Sequence, residues 1–96
     1  MTNIALIGCG TYLDLYFDMH PEVELNKVKV ILDNAPNISE YQKIPVRKLK
    51  DMTEKDIDNY DFFTITSRHH IDLHNQLLTM GIKQNKIKVF TAIVSL

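Results

Sequence analysis

The apolar run at residues 3–7, followed at once by Gly8-Cys9-Gly10-Thr11, constrains this chain more than any other feature. A nearly continuous apolar stretch stopped by glycine suits a strand buried on both faces of a parallel sheet. Residues 11–19 then read as a helix. Thr11 is its expected cap, Asp14 stands three residues on as in a capping box, and Leu13, Tyr16 and Phe17 share one face. The first glycine of such a turn permits a tight bend. The second lets backbone come close to an anion held over the free N–H groups of the helix start. The alternative is a plain strand-to-helix turn that needs glycine only for its backbone angles.

The remaining elements follow by alternation. Residues 28–32 (VKVIL) predict a second strand and residues 33–37 (DNAPN) a loop. Pro21 is expected to end the first helix at His20. Ile44-Pro45-Val46 is a brief extended piece that its proline is expected to confine to a sheet edge or to no sheet at all. Thr53 and Asp56 predict the start of a short helix, and residues 61–66 (DFFTIT) a third strand. Residues 67–80 predict the longest helix, with Ile71, His74, Leu77 and Leu78 at helical spacing and Gly81 ending it, and residues 86–90 (KIKVF) a last strand. Strands alternating with helices imply an α/β fold, an open parallel sheet of four to five strands with helices on both faces. Residues 1–96 read as a single domain, either complete or a piece of a longer protein.

Composition excludes several functions. With 11 basic and 12 acidic residues the net charge is -1, so no field of one sign is available for nucleic acid or an anionic membrane. A single cysteine, Cys9, excludes an intrachain disulfide. No apolar run reaches the roughly 20 residues that span a bilayer, and nothing resembles a signal peptide. A reducing cytoplasm is the expected compartment.

Asp33, at the carboxyl end of the second strand, is placed to accept hydrogen bonds from ribose hydroxyls. Taken alone it is equally a turn aspartate. With these residues in position the chain resembles the small Rossmann-like domains of bacterial polysaccharide biosynthesis. Such domains occur at the N-terminus of sugar-nucleotide dehydratases and sugar acetyltransferases. The likeness rests on Ile7-Gly8-Cys9-Gly10, Ile31-Leu32-Asp33-Asn34, Ile44-Pro45-Val46, Ile65-Thr66-Ser67 and the helix end from Leu77 to Gly81-Ile82. It implies a nucleoside-diphosphate sugar or NAD(P) as ligand. That ligand would lie over Gly8, Gly10, Thr11 and Tyr12, with Asp33 and Asn34 at its ribose and Ser67, Arg68 and His69 near its far end.

The resemblance also departs in places. Leu13 stands where the dinucleotide fingerprint Gly-x-Gly-x-x-Gly has its third glycine. The domain that carries chemistry in the dehydratases and acetyltransferases has no counterpart here, and no Tyr-x-x-x-Lys pair is present. No catalytic residue is assigned. Cys9 reads as a small apolar filler, although a helix N-terminus can lower a thiol pKa. His70 and His74 have the i, i+4 spacing of two metal ligands but no carboxylate partner, so no metal site is assigned. The expected function is a non-catalytic nucleotide or nucleotide-sugar binding module in glycan biosynthesis. Its alternatives are the NAD(P)-binding half of an oxidoreductase and an interaction domain without ligand. The apolar tail, residues 91–96, suggests a homo-oligomer, a docked sheet edge or a missing second domain.

Overall fold

A computed structural model of the chain describes residues 2–91. The apolar tail beyond Thr91, at residues 92–96, lies outside them, and so does the expectation attached to it. Among the described residues the chain forms a Rossmann-like α/β fold around a six-stranded sheet. Its strands are β1 (Ile4–Ile7), β2 (Val28–Asp33), β3 (Glu40–Tyr41), β4 (Ile44–Lys48), β5 (Phe62–Ile65) and β6 (Ile87–Val89). Their order across the sheet is β3-β4-β2-β1-β5-β6. All neighbours are parallel except β3 and β4, which form an antiparallel hairpin.

The sheet thus has six strands where four to five were expected. The extra strand, β3, is only two residues long, too short for any alternation to register. The turn behind it is built by Gln42 and Lys43, both at positive φ (46° and 70°), without the glycine or asparagine that usually marks such a turn. Contrary to the expected edge position, β4 lies between β3 and β2. Pro45 stands one residue before the register of β4 with β2 begins at Val46, so the missing N–H interrupts no pairing on that side.

Two apolar layers sandwich the sheet. On one face Leu6, Ile31 and Val46 meet Leu13, Tyr16 and Phe17 of α1 (Thr11–Met19). On the other face Ala5, Ile7, Leu32, Phe63 and Ile65 meet Leu73 and Leu77 of α4 (His70–Thr79). Side chains of a strand alternate between faces, so in an unbroken β2 Val28 would share a face with Val30 and Leu32, and Lys29 would share the apolar α1 face with Ile31. A bulge solves this. Ile4 pairs with Val28 and Ala5 with Val30, leaving Lys29 as the extra residue, exposed to solvent. Val28 then packs on the α1 face and Val30 on the α4 face.

Helix boundaries depart from expectation in three places. The N-cap of α1 is Gly10, not Thr11, and no side chain caps it. Asp14, the expected partner of Thr11, instead accepts a hydrogen bond from the Tyr41 hydroxyl at 2.5 Å, which ties the β3–β4 hairpin to α1. Burial and that bond to Asp14 push the Tyr41 hydroxyl up to about 12. Pro21 does end α1, but it also caps a one-turn helix, α2 (Glu22–Leu25). The long helix begins at His70, so Ser67, Arg68 and His69 form its lead-in rather than its first turn. By contrast, Thr53 and Asp56 form the full reciprocal capping box of α3 (Glu54–Asp58). Gly81 adopts φ +92° after α4, and Ile82 N–H donates to the Leu77 carbonyl across it. None of the helices among the described residues is long and apolar enough to cross a membrane.

Candidate functional site

The parallel strands run in the order β4-β2-β1-β5-β6, so the direction of strand addition reverses between β1 and β5. Loops leaving the carboxyl ends of those two strands must diverge to opposite faces, and a crevice opens between them. A cavity of about 730 Å3 lies there. Its walls are the starts of α1 and α4, together with the end of β2. Gly8, Gly10, Thr11, Tyr12, Asp33, Asn34, Ser67, Arg68 and His69 all line it, so three separate sequence segments converge on one volume. The size is that of an ordinary small-molecule site.

Gly8 and Gly10 turn out to do different work. Gly8 sits at φ +116°, and a Cβ there would stand 2.8 Å from the Thr66 carbonyl oxygen and 3.0 Å from the Ser67 Cβ. Its N–H donates to the Leu32 carbonyl at 2.8 Å, and its own carbonyl accepts from the buried Thr66 hydroxyl at 2.8 Å. The fold needs a glycine here whether or not a ligand binds. Gly10 is the opposite case. Its φ of -152° is open to any residue, and a Cβ there would meet nothing within 4 Å. Apart from glycine's modest preference as a helix N-cap, what distinguishes it here is bareness toward the cavity.

Asp33 closes the floor of the turn. One carboxylate oxygen accepts the Cys9 N–H at 2.8 Å and the other accepts the Ala35 N–H at 2.9 Å. Each oxygen keeps a free lone pair for a further donor. Among the described residues no acceptor meets the N–H of Gly10, Thr11 or Tyr12. Donors of α1 and an acceptor on β2 therefore face one space. Arg68 is exposed at the α4 side, and Ser67 accepts the His69 N–H at 3.1 Å, shaping that lead-in.

Four lining residues carry no sequence signal as site residues: Thr66, Asp72, Leu73 and Gln76. Thr66 ends the third expected strand, but its role as a clamp on Gly8 depends on contact across 58 residues of chain. Cys9 also lines the cavity. Burial pushes its thiol up, and the nearby charges of Asp33 and Asp14 add to that, so the helix N-terminus does not activate it. The thiol stays protonated at neutral pH, in keeping with a filler. His74 hydrogen-bonds Gln84 at 2.8 Å through Nε2. Among the described residues no group of three or more metal-ligating side chains comes together.

Leu13 accounts for the missing third glycine. It is 1 % exposed and packs between α1 and the sheet, so the helix stands off by a leucine side chain. Compared with protein-family models and with curated proteins, the chain matches none.

Proposed function

We propose that this chain binds a nucleotide or nucleoside-diphosphate sugar, with phosphate over the start of α1 and ribose at Asp33. The bare Gly10 carries this reading. The fold does not need a glycine at that position, whereas close approach of a phosphate to backbone N–H groups does. Within the reading the module is non-catalytic: among the described residues neither the Cys9 thiol nor the Ser67 hydroxyl is hydrogen-bonded to a histidine or carboxylate side chain. A place in glycan biosynthesis rests on resemblance to the small Rossmann-like domains described above. Membership of a larger assembly rests on the same ground.

A second reading, the NAD-binding half of an oxidoreductase, is favoured by the acid at the end of β2. A carboxylate there suits two free ribose hydroxyls and repels a 2′-phosphate, so NAD is preferred to NADP. Thermal stability measured against UDP-, GDP- and CDP-sugars, NAD, NADP and coenzyme A separates the readings. Ligand at 100 times its dissociation constant adds about 2.7 kcal/mol. A rise with one nucleotide sugar supports the first reading and a rise with NAD alone the second. A folded sample unmoved by every ligand leaves an interaction domain.

Two substitutions test the geometry. Gly10→Ala is expected to cost no more than about 1 kcal/mol, since alanine is a poorer N-cap than glycine but its Cβ displaces nothing. It should lower affinity for the stabilising nucleotide roughly tenfold, because its methyl group holds the phosphate off. An unchanged dissociation constant by isothermal titration calorimetry would remove the main support for phosphate at this turn. Asp33→Ala removes a charged acceptor. Its expected cost is about 2 kcal/mol of binding, or roughly thirtyfold. Equal loss with a 2′,3′-dideoxyribose analogue and with the parent nucleotide would argue against a ribose contact.

A further inference from the structure

Asn34 and Gln76, 42 residues apart, join their amides head to head across the cavity mouth. Asn34 Nδ2 donates to Gln76 Oε1 at 2.9 Å, and Gln76 Nε2 donates to Asn34 Oδ1 at 2.8 Å. Asn34 belongs to the loop after β2 and Gln76 to α4, and both line the cavity. A primary amide has two N–H donors and two acceptor lone pairs. The reciprocal pair uses one of each on both residues. Each flank of the pair is left with one free N–H and, on the facing amide, one free carbonyl lone pair. The nitrogen and oxygen on one flank are 2.9 Å apart, and those on the other 2.8 Å.

We propose that this closed amide pair reads the base of the bound nucleotide. The inference rests on the nucleotide-binding reading above. Every nucleobase presents an adjacent donor and acceptor along an edge, such as the amino group and ring nitrogen of adenine, and amide side chains meet such an edge with two hydrogen bonds. Position in the chain gives the order. The start of α1 takes phosphate, Asp33 takes ribose, and the next residue, Asn34, carries the first amide. Two separate amides would have to be ordered on binding, whereas here each holds the other in place beforehand. Reading the base requires the pair, so losing either partner removes one of the two hydrogen bonds and releases the other amide.

AMP, UMP and ribose 5-phosphate share a phosphate and a ribose and differ only in the base. Titration calorimetry with each of them, on the wild type, Gln76→Ala and Gln76→Glu, tests the proposal. Both replacements are good helix formers on the half-buried face of α4, so the fold is retained. The wild type should bind at least one mononucleotide about tenfold more tightly than ribose 5-phosphate, and that ratio should collapse toward one in both variants. A wild type that holds all three probes equally overturns the base reading and leaves nucleotide binding standing. A ratio unchanged by both variants does the same. Absence of binding by any probe to the wild type overturns both readings together.

Discussion

Replacing Gly8 with alanine is expected to destabilise the fold by about 4 kcal/mol. Two costs combine. At φ +116° an L-residue is strained, which costs on the order of 1–3 kcal/mol. The new Cβ also stands 2.8 Å from the Thr66 carbonyl oxygen, closer than real Cβ atoms come. That oxygen belongs to backbone at the end of β5, and the Thr66 side chain is itself hydrogen-bonded to the Gly8 carbonyl. Relief would need β1 and β5 to separate, and overpacking of this kind costs typically about 1–3 kcal/mol. For a domain of this size each kcal/mol moves Tm by about 4–8 °C, so a fall of roughly 20 °C is expected in a thermal melt followed by circular dichroism. A fall under about 5 °C would show that β1 and β5 can part cheaply. The same melt on Gly10→Ala supplies the contrast, since a Cβ there has no neighbour to displace.

Phe63→Ala is the second large effect. Phe63 is wholly buried at the centre of the α4 face, among Ala5, Ile7 and Leu77, and its ring meets Tyr60 edge-on at 5.8 Å. Removing a buried phenylalanine costs typically about 3–5 kcal/mol, from lost transfer free energy and from the cavity left behind. The edge-on pair adds roughly 0.5–1.5 kcal/mol that area alone does not count. Urea unfolding should therefore show a midpoint shift equivalent to about 4 kcal/mol with the slope unchanged. A loss below about 2 kcal/mol would mean that α4 settles onto the sheet and fills the space. Phe63 lies three residues before Thr66, so a relaxed core would also loosen the clamp on Gly8. Comparing Phe63→Ala with Gly8→Ala and the double variant measures that coupling directly.

Much of the architecture was legible because the main elements are long enough to show their period. β1 and β5 read as strands, α1 as a helical face, and Gly81 and the Thr53–Asp56 capping box as stops and starts; the face of α4 did not, since Leu73 and Leu77 are buried while Ile71 and Leu78 of the expected face are exposed. Each is a local preference, expressed within a few residues of chain. The alternation of strand and helix, with right-handed crossovers, then places Gly8, Gly10, Asp33 and Ser67 at the carboxyl ends of their strands, hence at one edge of the sheet. The nine residues singled out from the sequence do meet around one cavity for this reason.

Other features had no local trace. Glu40 and Tyr41 form a strand only because β4 offers them an edge. Thr11 loses its capping role because the chain bends a residue earlier, at Gly10, and Asp14 is held by Tyr41 from a distant hairpin. The bulge at Lys29 is set by two apolar layers that must both be filled. The sequence by itself determined the order of the main elements, the face that α1 buries and which residues sit at the strand ends, since these follow from periodicity and chain connectivity. Only the tertiary structure decided that Gly8 serves the fold while Gly10 faces open space. It alone also joined Thr66 to Gly8 and Asn34 to Gln76. Those distinctions are made by contacts between segments tens of residues apart, and no local preference encodes a distant partner.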